Sequence, residues 1–169
     1  MPRAVFLRHA SEKSWRGTVP RMPDIIGFDH LYLTVSDMAR AEPYYDVVLQ
    51  RVLGFRKNRF PIGGDPHVQY YNRHFGIVIR PARSSTEHDP YAPGLHHLCL
   101  RVDSIDDVKA TAAALQAAGI AATDAAPHGD YAPDYWATFF TDPDGIRLEV
   151  TNYRQERRDR HDRWDELPG

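Results

Sequence analysis

The sequence predicts an α+β protein in which two βαβββ modules form a curved, partly open mixed β-barrel with helices on the outside. Two observations lead to this prediction. The segment HLYLTV (His30–Val35) reappears as HLCLRV (His97–Val102), and each copy is followed by a helix-like segment and then by further strand-like segments. Self-similarity over tens of residues indicates a repeated structural unit, so we expect one duplicated architecture.

The first repeat predicts a strand, a helix and further strands within one module. After HLYLTV, apolar residues recur with helical spacing at Val47, Val48, Val52 and Leu53, and Gly54 is the expected stop. A proline inside a helix costs about 3 kcal/mol, so we expect Pro43 in or near the first turn. The segment VQYYNRHFGIVIRPA then supplies the remaining strands of this module.

The second repeat follows the same order. Ser104 with Asp107 three residues later resembles a capping box, and Gly119 is the expected helix end. The segment YWATFFTDPDGIRLEVTNY closes the module, with a turn at DPDG. Alignment of GIVIR (76–80) with GIRLE (145–149) places Arg80 opposite Glu149, with a two-residue difference in spacing between the repeats.

Composition sets the domain boundaries that we expect. The chain has 169 residues, enough for one sizeable core. Residues 1–24 are rich in Arg and Pro and predict an N-terminal arm, whereas 25–153 form a single domain with module one at 25–93 and module two at 94–153. Residues 154–169 predict a charged tail, solvated or packed at a subunit contact through Trp164.

Charge and cysteine content narrow the functional classes. The net charge of −2 argues against a nucleic-acid partner, and a single cysteine, Cys99, excludes a disulfide framework within one chain. No apolar stretch is long enough to cross a bilayer, and the N-terminal residues lack the features of a secretory signal. We therefore expect a cytoplasmic protein with a small-molecule substrate and no membrane partner.

Strand parity selects candidate metal ligands. Alternate residues of a strand point to opposite faces, which places His30, His97 and Glu149 opposite the aliphatic residues of their strands. Two imidazoles and one carboxylate can bind a divalent transition metal and leave coordination positions open for a substrate. The alternative is a set of polar residues on a solvated sheet face. His96 falls on the aliphatic face, so its substitution should leave the metal content largely intact.

The segments FDHLYLTVSD, GLHHLCLRVDS and FFTDPDGIRLEV resemble the vicinal oxygen chelate superfamily over about residues 25–153. This superfamily includes glyoxalase I, bleomycin-resistance proteins, fosfomycin-resistance thiol transferases and extradiol dioxygenases. The resemblance implies that His30, His97 and Glu149 bind a divalent metal, which could be Fe²⁺, Mn²⁺, Ni²⁺ or Zn²⁺. It also implies a homodimer, because dimers are common in the superfamily.

Two departures bear on the reaction. Glyoxalase I commonly has a fourth ligand, a glutamate, where the repeat places Arg80. A guanidinium cannot ligate a metal, so Arg80 is expected to grip a substrate carboxylate or phosphate, or to form a salt bridge on the sheet face. Extradiol dioxygenases carry an acid-base tyrosine and a second histidine where this chain has Phe139 and Arg83. Tyr135, His88 or His67 could replace these groups spatially.

Aromatic residues near the expected cavity could wall a pocket for a small organic ligand, with core or interface packing as the alternative for each. They are Tyr32, Tyr70, Tyr131, Tyr135 and Trp136. Cys99 is expected to be a small buried filler beside His97, with a role as metal ligand or nucleophile as the alternative. The sequence thus favours a metal-dependent lyase, isomerase or dioxygenase that chelates vicinal oxygens. The competing hypothesis is a non-catalytic protein that sequesters a drug or other small molecule, of the bleomycin-resistance type.

Overall fold

The computed structural model describes residues 25–167 and contains two four-stranded mixed sheets, one in each module. Module one contains β1 (His30–Val35), α1 (Met38–Tyr45), a π-helical segment (Asp46–Val52), β2 (Arg56–Ile62), β3 (Asp65–Tyr71) and β4 (Gly76–Pro81). Module two contains β5 (His97–Val102), α2 (Ile105–Ala117), β6 (Ala126–Pro127), β7 (Trp136–Thr141) and β8 (Arg147–Asn152). The predicted βαβββ duplication is confirmed.

The two sheets have the same topology. Their strand orders are β1-β4-β3-β2 and β5-β8-β7-β6. The first strand of each module runs parallel to the last, and the remaining neighbours are antiparallel. Each sheet keeps its edges instead of closing on itself, which agrees with the prediction of a partly open arrangement.

The aliphatic faces of both sheets belong to one hydrophobic core. Leu33 and Ile79 of module one lie in the same buried cluster as Leu148 and Val150 of module two, and Leu115 of α2 is part of it. Burial of such side chains stabilises the fold by about 25 cal/mol per Å² of apolar surface. Because the aliphatic faces share this core, the opposite, polar faces of the two sheets point away from it.

The first helix differs from the expectation at Pro43. Asp37 caps the helix by accepting a hydrogen bond from the amide of Ala39 at 2.8 Å, so α1 begins at Met38 and Pro43 lies well inside it. The expectation that Pro43 lies in or near the first turn is wrong. Proline has no amide hydrogen to donate within a helix, and from Asp46 onward the chain winds as a wider π-helix.

The second helix begins as predicted. The hydroxyl of Ser104 accepts from the amide of Asp107 at 3.1 Å, and the Asp107 carboxylate accepts from the amide of Ser104 at 3.0 Å. This reciprocal pair satisfies two backbone donors that would otherwise lack partners. Gly119, just beyond the helix, has φ of +83°, the left-handed conformation that glycine adopts at helix ends.

The register of the parallel strands corrects the internal alignment. His30 pairs with Gly76 and Tyr32 with Val78, whereas His97 pairs with Arg147 and Cys99 with Glu149. The structural counterpart of Glu149 is therefore Val78 and not Arg80. The two modules differ by four residues between these strands, not two. Because the error is an even number of residues, it left the assignment of faces unchanged.

The C-terminal residues pack against module two. They form α3 (Gln155–Asp162), and Arg158 donates to the carboxylate of Asp103 at 2.7 Å. Trp164 is 68% exposed, so its role in a subunit contact stays a prediction. The predicted N-terminal arm, residues 1–24, lies outside the described residues. Among the described helices, none is both long and apolar enough to span a membrane.

Candidate metal and ligand site

His97 and Glu149 lie together on the polar face of module two. The Nε2 atom of His97 is 3.4 Å from Oε2 of Glu149, and Glu149 is only 4% exposed. The two residues meet because β5 and β8 are adjacent parallel strands in which Glu149 pairs with Cys99, two residues beyond His97. Residues two apart on a strand share a face. The structure thus brings two of the three predicted ligands together.

Among the described residues, one hydroxyl group donates to the Glu149 carboxylate. Tyr135 donates to its Oε1 at 2.5 Å, and burial together with this hydrogen bond raises the pKa of the Tyr135 hydroxyl. Within residues 25–167, no Lys or Arg forms an ion pair with Glu149. A buried carboxylate is costly unless a cation or several donors compensate it, so the environment of Glu149 fits a bound cation.

Both candidate histidines have one ring nitrogen engaged. Nδ1 of His30 is 2.7 Å from Oδ2 of Asp29, and Nδ1 of His97 is 2.7 Å from Nδ1 of His96. An N–H donated from Nδ1 fixes the tautomer and leaves the Nε2 lone pair free for a metal, which is the usual arrangement around histidine ligands. His96 was expected on the opposite, aliphatic face, and that placement is wrong.

His30 lies on the other open face, that of module one. Its ring is 5.3 Å from Tyr32, whose ring is 5.8 Å from that of His67. Among residues 25–167, no three side chains of His, Cys, Asp or Glu converge closely enough to hold a metal ion. Within one chain the three predicted ligands are therefore separated, with His30 on one sheet and His97 with Glu149 on the other.

Arg80 forms the salt bridge that was one of its two expected roles. Its guanidinium donates to Asp65 at 2.5 Å, and Arg83 donates to the same carboxylate oxygen at 3.0 Å. The hydrogen bond from Arg83 and the charges of both arginines lower the pKa of Asp65. Val78 is the structural counterpart of Glu149 in module one. It is 2% exposed, and its side chain cannot ligate a metal.

Two of the five expected pocket aromatics belong to the helix-facing side of the sheets. Tyr70 is fully buried and donates to Asp46 at 2.7 Å. Trp136 pairs with Pro127, and its ring lies 5.0 Å from the ammonium of Lys109 on α2. Their placement in the ligand cavity is wrong, because each is one residue out of phase with the polar face of its strand.

A cavity of about 620 Å³ lies beside His97 and Glu149. Tyr131, Tyr135 and Phe139 form its aromatic wall, and His96 and Arg147 line it as well. Tyr135, His88 and His67 could replace the acid-base tyrosine and histidine of extradiol dioxygenases, and of these three Tyr135 contacts Glu149. His67 is 3% exposed and stacks on Phe60 in module one, and His88 lies in a separate cleft near Asp144.

Two residues that line this cavity, Arg147 and His96, are not among the site residues that the sequence predicts. Arg147 shares the parity of Glu149 on β8, so a signal for its position on the polar face was available. His96 precedes β5, which begins at His97. Strand alternation does not extend beyond the paired residues, and parity therefore gave the wrong face for His96.

Comparison with known proteins agrees with this architecture. The model of the Glyoxalase/Bleomycin resistance protein/Dioxygenase superfamily matches residues 27–150. The chain belongs to this superfamily. No curated protein matches the sequence. A glyoxylase/bleomycin resistance protein/dioxygenase domain from Frankia sp. EAN1pec is 27% identical, with a TM-score of 0.64, and the match covers 78% of this chain and 100% of that one.

Other solved structures share the fold. A glyoxalase family protein from Enterococcus faecalis is 25% identical with a TM-score of 0.56, and the match covers 75% of this chain and 97% of that chain. The fosfomycin resistance protein FosX from Listeria monocytogenes is 17% identical with a TM-score of 0.57, and the match covers 80% and 99% of the two chains. One FosX structure contains Mn(II).

Proposed function

We propose that this protein is a metal-dependent enzyme whose site is completed by a second copy of the chain. His97 and Glu149 of one copy and the partner's His30 would hold a divalent metal. The observation that carries this proposal is the pair formed by His97 and the buried Glu149, whose facing atoms are 3.4 Å apart with no Lys or Arg paired to Glu149 within residues 25–167.

The exposure of His30 supports the contribution of a partner. Its Nδ1 is held by Asp29, and its side chain is 49% exposed on a face that points away from the shared core. Tyr32, two residues along β1 and so on the same face, is also exposed, at 40%. Apposition of this face with the polar face of module two in a two-fold symmetric dimer would create two identical three-ligand sites.

The chemistry follows from the donor set and its surroundings. A divalent metal held by two imidazoles and one carboxylate supplies a Lewis acid with open positions for vicinal substrate oxygens. Tyr135 stays protonated and orients Glu149 through its hydrogen bond. Tyr131 and Phe139 provide apolar surface that displaces water from a bound substrate. These features suit a lyase, an isomerase or a dioxygenase.

Metal analysis of protein purified without a histidine tag tests this proposal. After reconstitution with Fe²⁺, Mn²⁺, Ni²⁺ or Zn²⁺, the wild type should hold about one metal per chain, and His97→Ala and Glu149→Ala should hold little. His161→Ala on the exposed face of α3 is the matched control and should behave as the wild type. Metal-free wild type that still binds apolar ligands would instead favour a sequestering protein.

Complementation tests the contribution of the partner. His30→Ala and Glu149→Ala should each hold little metal alone. Unfolded and refolded together, they should regain about a quarter of the wild-type metal per chain, because half of the dimers are mixed and each mixed dimer contains one intact site. A ligand set within one chain would give no recovery, and a monomer by sedimentation would contradict the proposal.

The reaction class can be assigned on the loaded protein. Oxygen consumption with catechols would favour a dioxygenase. Turnover of a hemithioacetal without oxygen uptake would favour a lyase, the activity in the name of lactoylglutathione lyase from Agrobacterium tumefaciens, which shares the fold at 18% identity. The valine at position 78 argues against a four-ligand site of the glyoxalase I kind.

A further inference from the structure

Arg147 places a positive charge beside the candidate metal ligands. It is the first residue of β8 and pairs with His97 across the parallel ladder. It also precedes Glu149 by two residues and so shares its face, which separates the two Cα atoms by about 7 Å along the strand. The side chain is partly buried and lines the 620 Å³ cavity.

No acid in the described part of the chain neutralises Arg147. Among these residues, its Nη1 atom lies 3.5 Å from the hydroxyl of Tyr91 and 3.4 Å from Nε2 of His96. Two other partly or fully exposed arginines, Arg80 and Arg83, by contrast share the carboxylate of Asp65. Partial burial without a counter-ion is unfavourable for a charge that arginine cannot lose.

The histidine beside it cannot relieve this charge when His97 binds a metal. In that state Nδ1 of His97 donates its proton to Nδ1 of His96, 2.7 Å away. Neutral His96 then carries its own hydrogen on Nε2, the atom that faces Arg147. The N–H group of Arg147 and the N–H group of His96 then face each other across 3.4 Å. Because two donors cannot form a hydrogen bond with each other, the guanidinium keeps its N–H groups available for a ligand.

We propose that Arg147 binds the carboxylate of a small substrate whose aromatic or apolar body lies against Tyr131 and Phe139. This inference rests on the proposed function, because it places the vicinal oxygens of the same substrate near Glu149. A planar guanidinium accepts a carboxylate through two parallel hydrogen bonds. Arg147 thus takes the role that the sequence offered to Arg80, which is neutralised by Asp65.

Binding of phenylacetate and of its neutral isostere phenylacetamide tests the inference by calorimetry. Both probes are titrated into metal-free protein and into Mn²⁺-loaded protein, since a metal could itself hold a carboxylate. The metal-free wild type should prefer phenylacetate, and Arg147→Gln should weaken phenylacetate by about tenfold or more while leaving phenylacetamide unchanged. Arg147→Lys should retain part of the preference.

Arg101→Gln is the matched control. Arg101 lies on the same face of module two at the other end of β5, where it stacks on Tyr153 at 4.0 Å. Arg101→Gln changes the net charge by the same amount as Arg147→Gln, and it should leave the preference for phenylacetate over phenylacetamide intact. Equal binding of the two probes to the wild type, or equal losses in the Arg147 and Arg101 variants, would overturn the inference.

Metal analysis separates this inference from the proposed function. Arg147→Gln should hold as much Mn²⁺ as the wild type. A wild type without metal but with an Arg147-dependent preference for phenylacetate would contradict the metalloenzyme proposal alone. A wild type with stoichiometric metal but no such preference would contradict the assignment of Arg147 alone.

Discussion

Nδ1 of His96 lies 2.7 Å from Nδ1 of His97, so the two adjacent histidines form one hydrogen-bonded unit. Their rings are nearly perpendicular, with centroids 5.0 Å apart. One nitrogen must donate and the other accept, which couples the tautomer of His97 to His96. Of the two, His97 faces Glu149 through its Nε2 atom. His96 contacts the opposite ring nitrogen of His97 and can therefore orient the His97 ring.

Substitution of His96 should weaken metal binding. Loss of a group that orients a ligating histidine typically lowers metal affinity by about 10- to 100-fold. His96→Leu should show such a loss in a titration of Zn²⁺ against a competing chelator, and His96→Asn, which keeps an acceptor, should recover part of it. His161→Leu is the control on α3. Unchanged affinity in His96→Leu would restore the purely structural role that strand parity suggested.

The fold could be predicted because the repeat fixes its order and the aliphatic periodicity fixes its faces. HLYLTV and HLCLRV identify corresponding strands without any structure. The exact register could not be predicted, because loop lengths within each module vary freely while strand parity is preserved. The repeat predicts Arg80 as the counterpart of Glu149, whereas the structure shows that the counterpart is Val78, two residues away on the same face.

The site was predicted less completely for a related reason. Parity selects residues only inside a paired strand, so it correctly grouped His97 with Glu149 but failed for His96, which precedes β5. Tyr70 and Trp136 both lie on the helix-facing side, because aromatic character alone does not indicate which face of a strand a residue occupies. Whether one or two chains build the site depends on how the modules pack, which local patterns do not encode.

Tyrosine substitutions should separate the cavity from the core. Tyr135 donates to Glu149 on the open face, whereas Tyr70 donates to Asp46 under the helix. Tyr135→Phe should alter the metal affinity of the protein, because it removes the hydroxyl that donates to the buried Glu149. Tyr70→Phe should lower the free energy of unfolding by about 0.5 to 1.5 kcal/mol, because it removes a partly buried hydrogen bond, and it should leave metal binding unchanged. Chelator competition and urea unfolding measure the two effects, and a reversed pattern would contradict the assignment of faces.

The modules are joined by a buried hydrogen bond between Tyr45 and Asp142. The hydroxyl of Tyr45 donates to Oδ2 of Asp142 at 2.9 Å, and both residues are at most 5% exposed. Tyr45→Phe should destabilise the protein by about 1 to 3 kcal/mol in urea unfolding. The adjacent Tyr44 is the matched control, because its buried hydroxyl has no hydrogen-bond partner among the described residues. Tyr44→Phe should be neutral or stabilising, and equal losses at both positions would refute this account.

Asp142 should make the stability of the protein depend on pH. Burial raises the pKa of its carboxyl above the ordinary 3.8, against hydrogen bonds from Ile146 and Tyr45 that lower it. A raised pKa in the folded state means that the folded protein holds this proton more tightly than the unfolded chain. The stabilisation is therefore complete below pH 3.8 and is lost as the pH rises through the folded-state value.

Asp142→Asn removes this titration while keeping an oxygen that can accept from the amides of Asp144 and Ile146. The wild type should lose stability relative to this variant as the pH rises above 3.8, with a slope of at most about 1.4 kcal/mol per pH unit. Urea unfolding of both proteins from pH 3.5 to about pH 7 measures the difference between their free energies of unfolding. The contributions of the other titrating groups cancel in this difference, because both proteins contain them. A constant difference across this range would show that Asp142 has the same pKa in the folded and unfolded states.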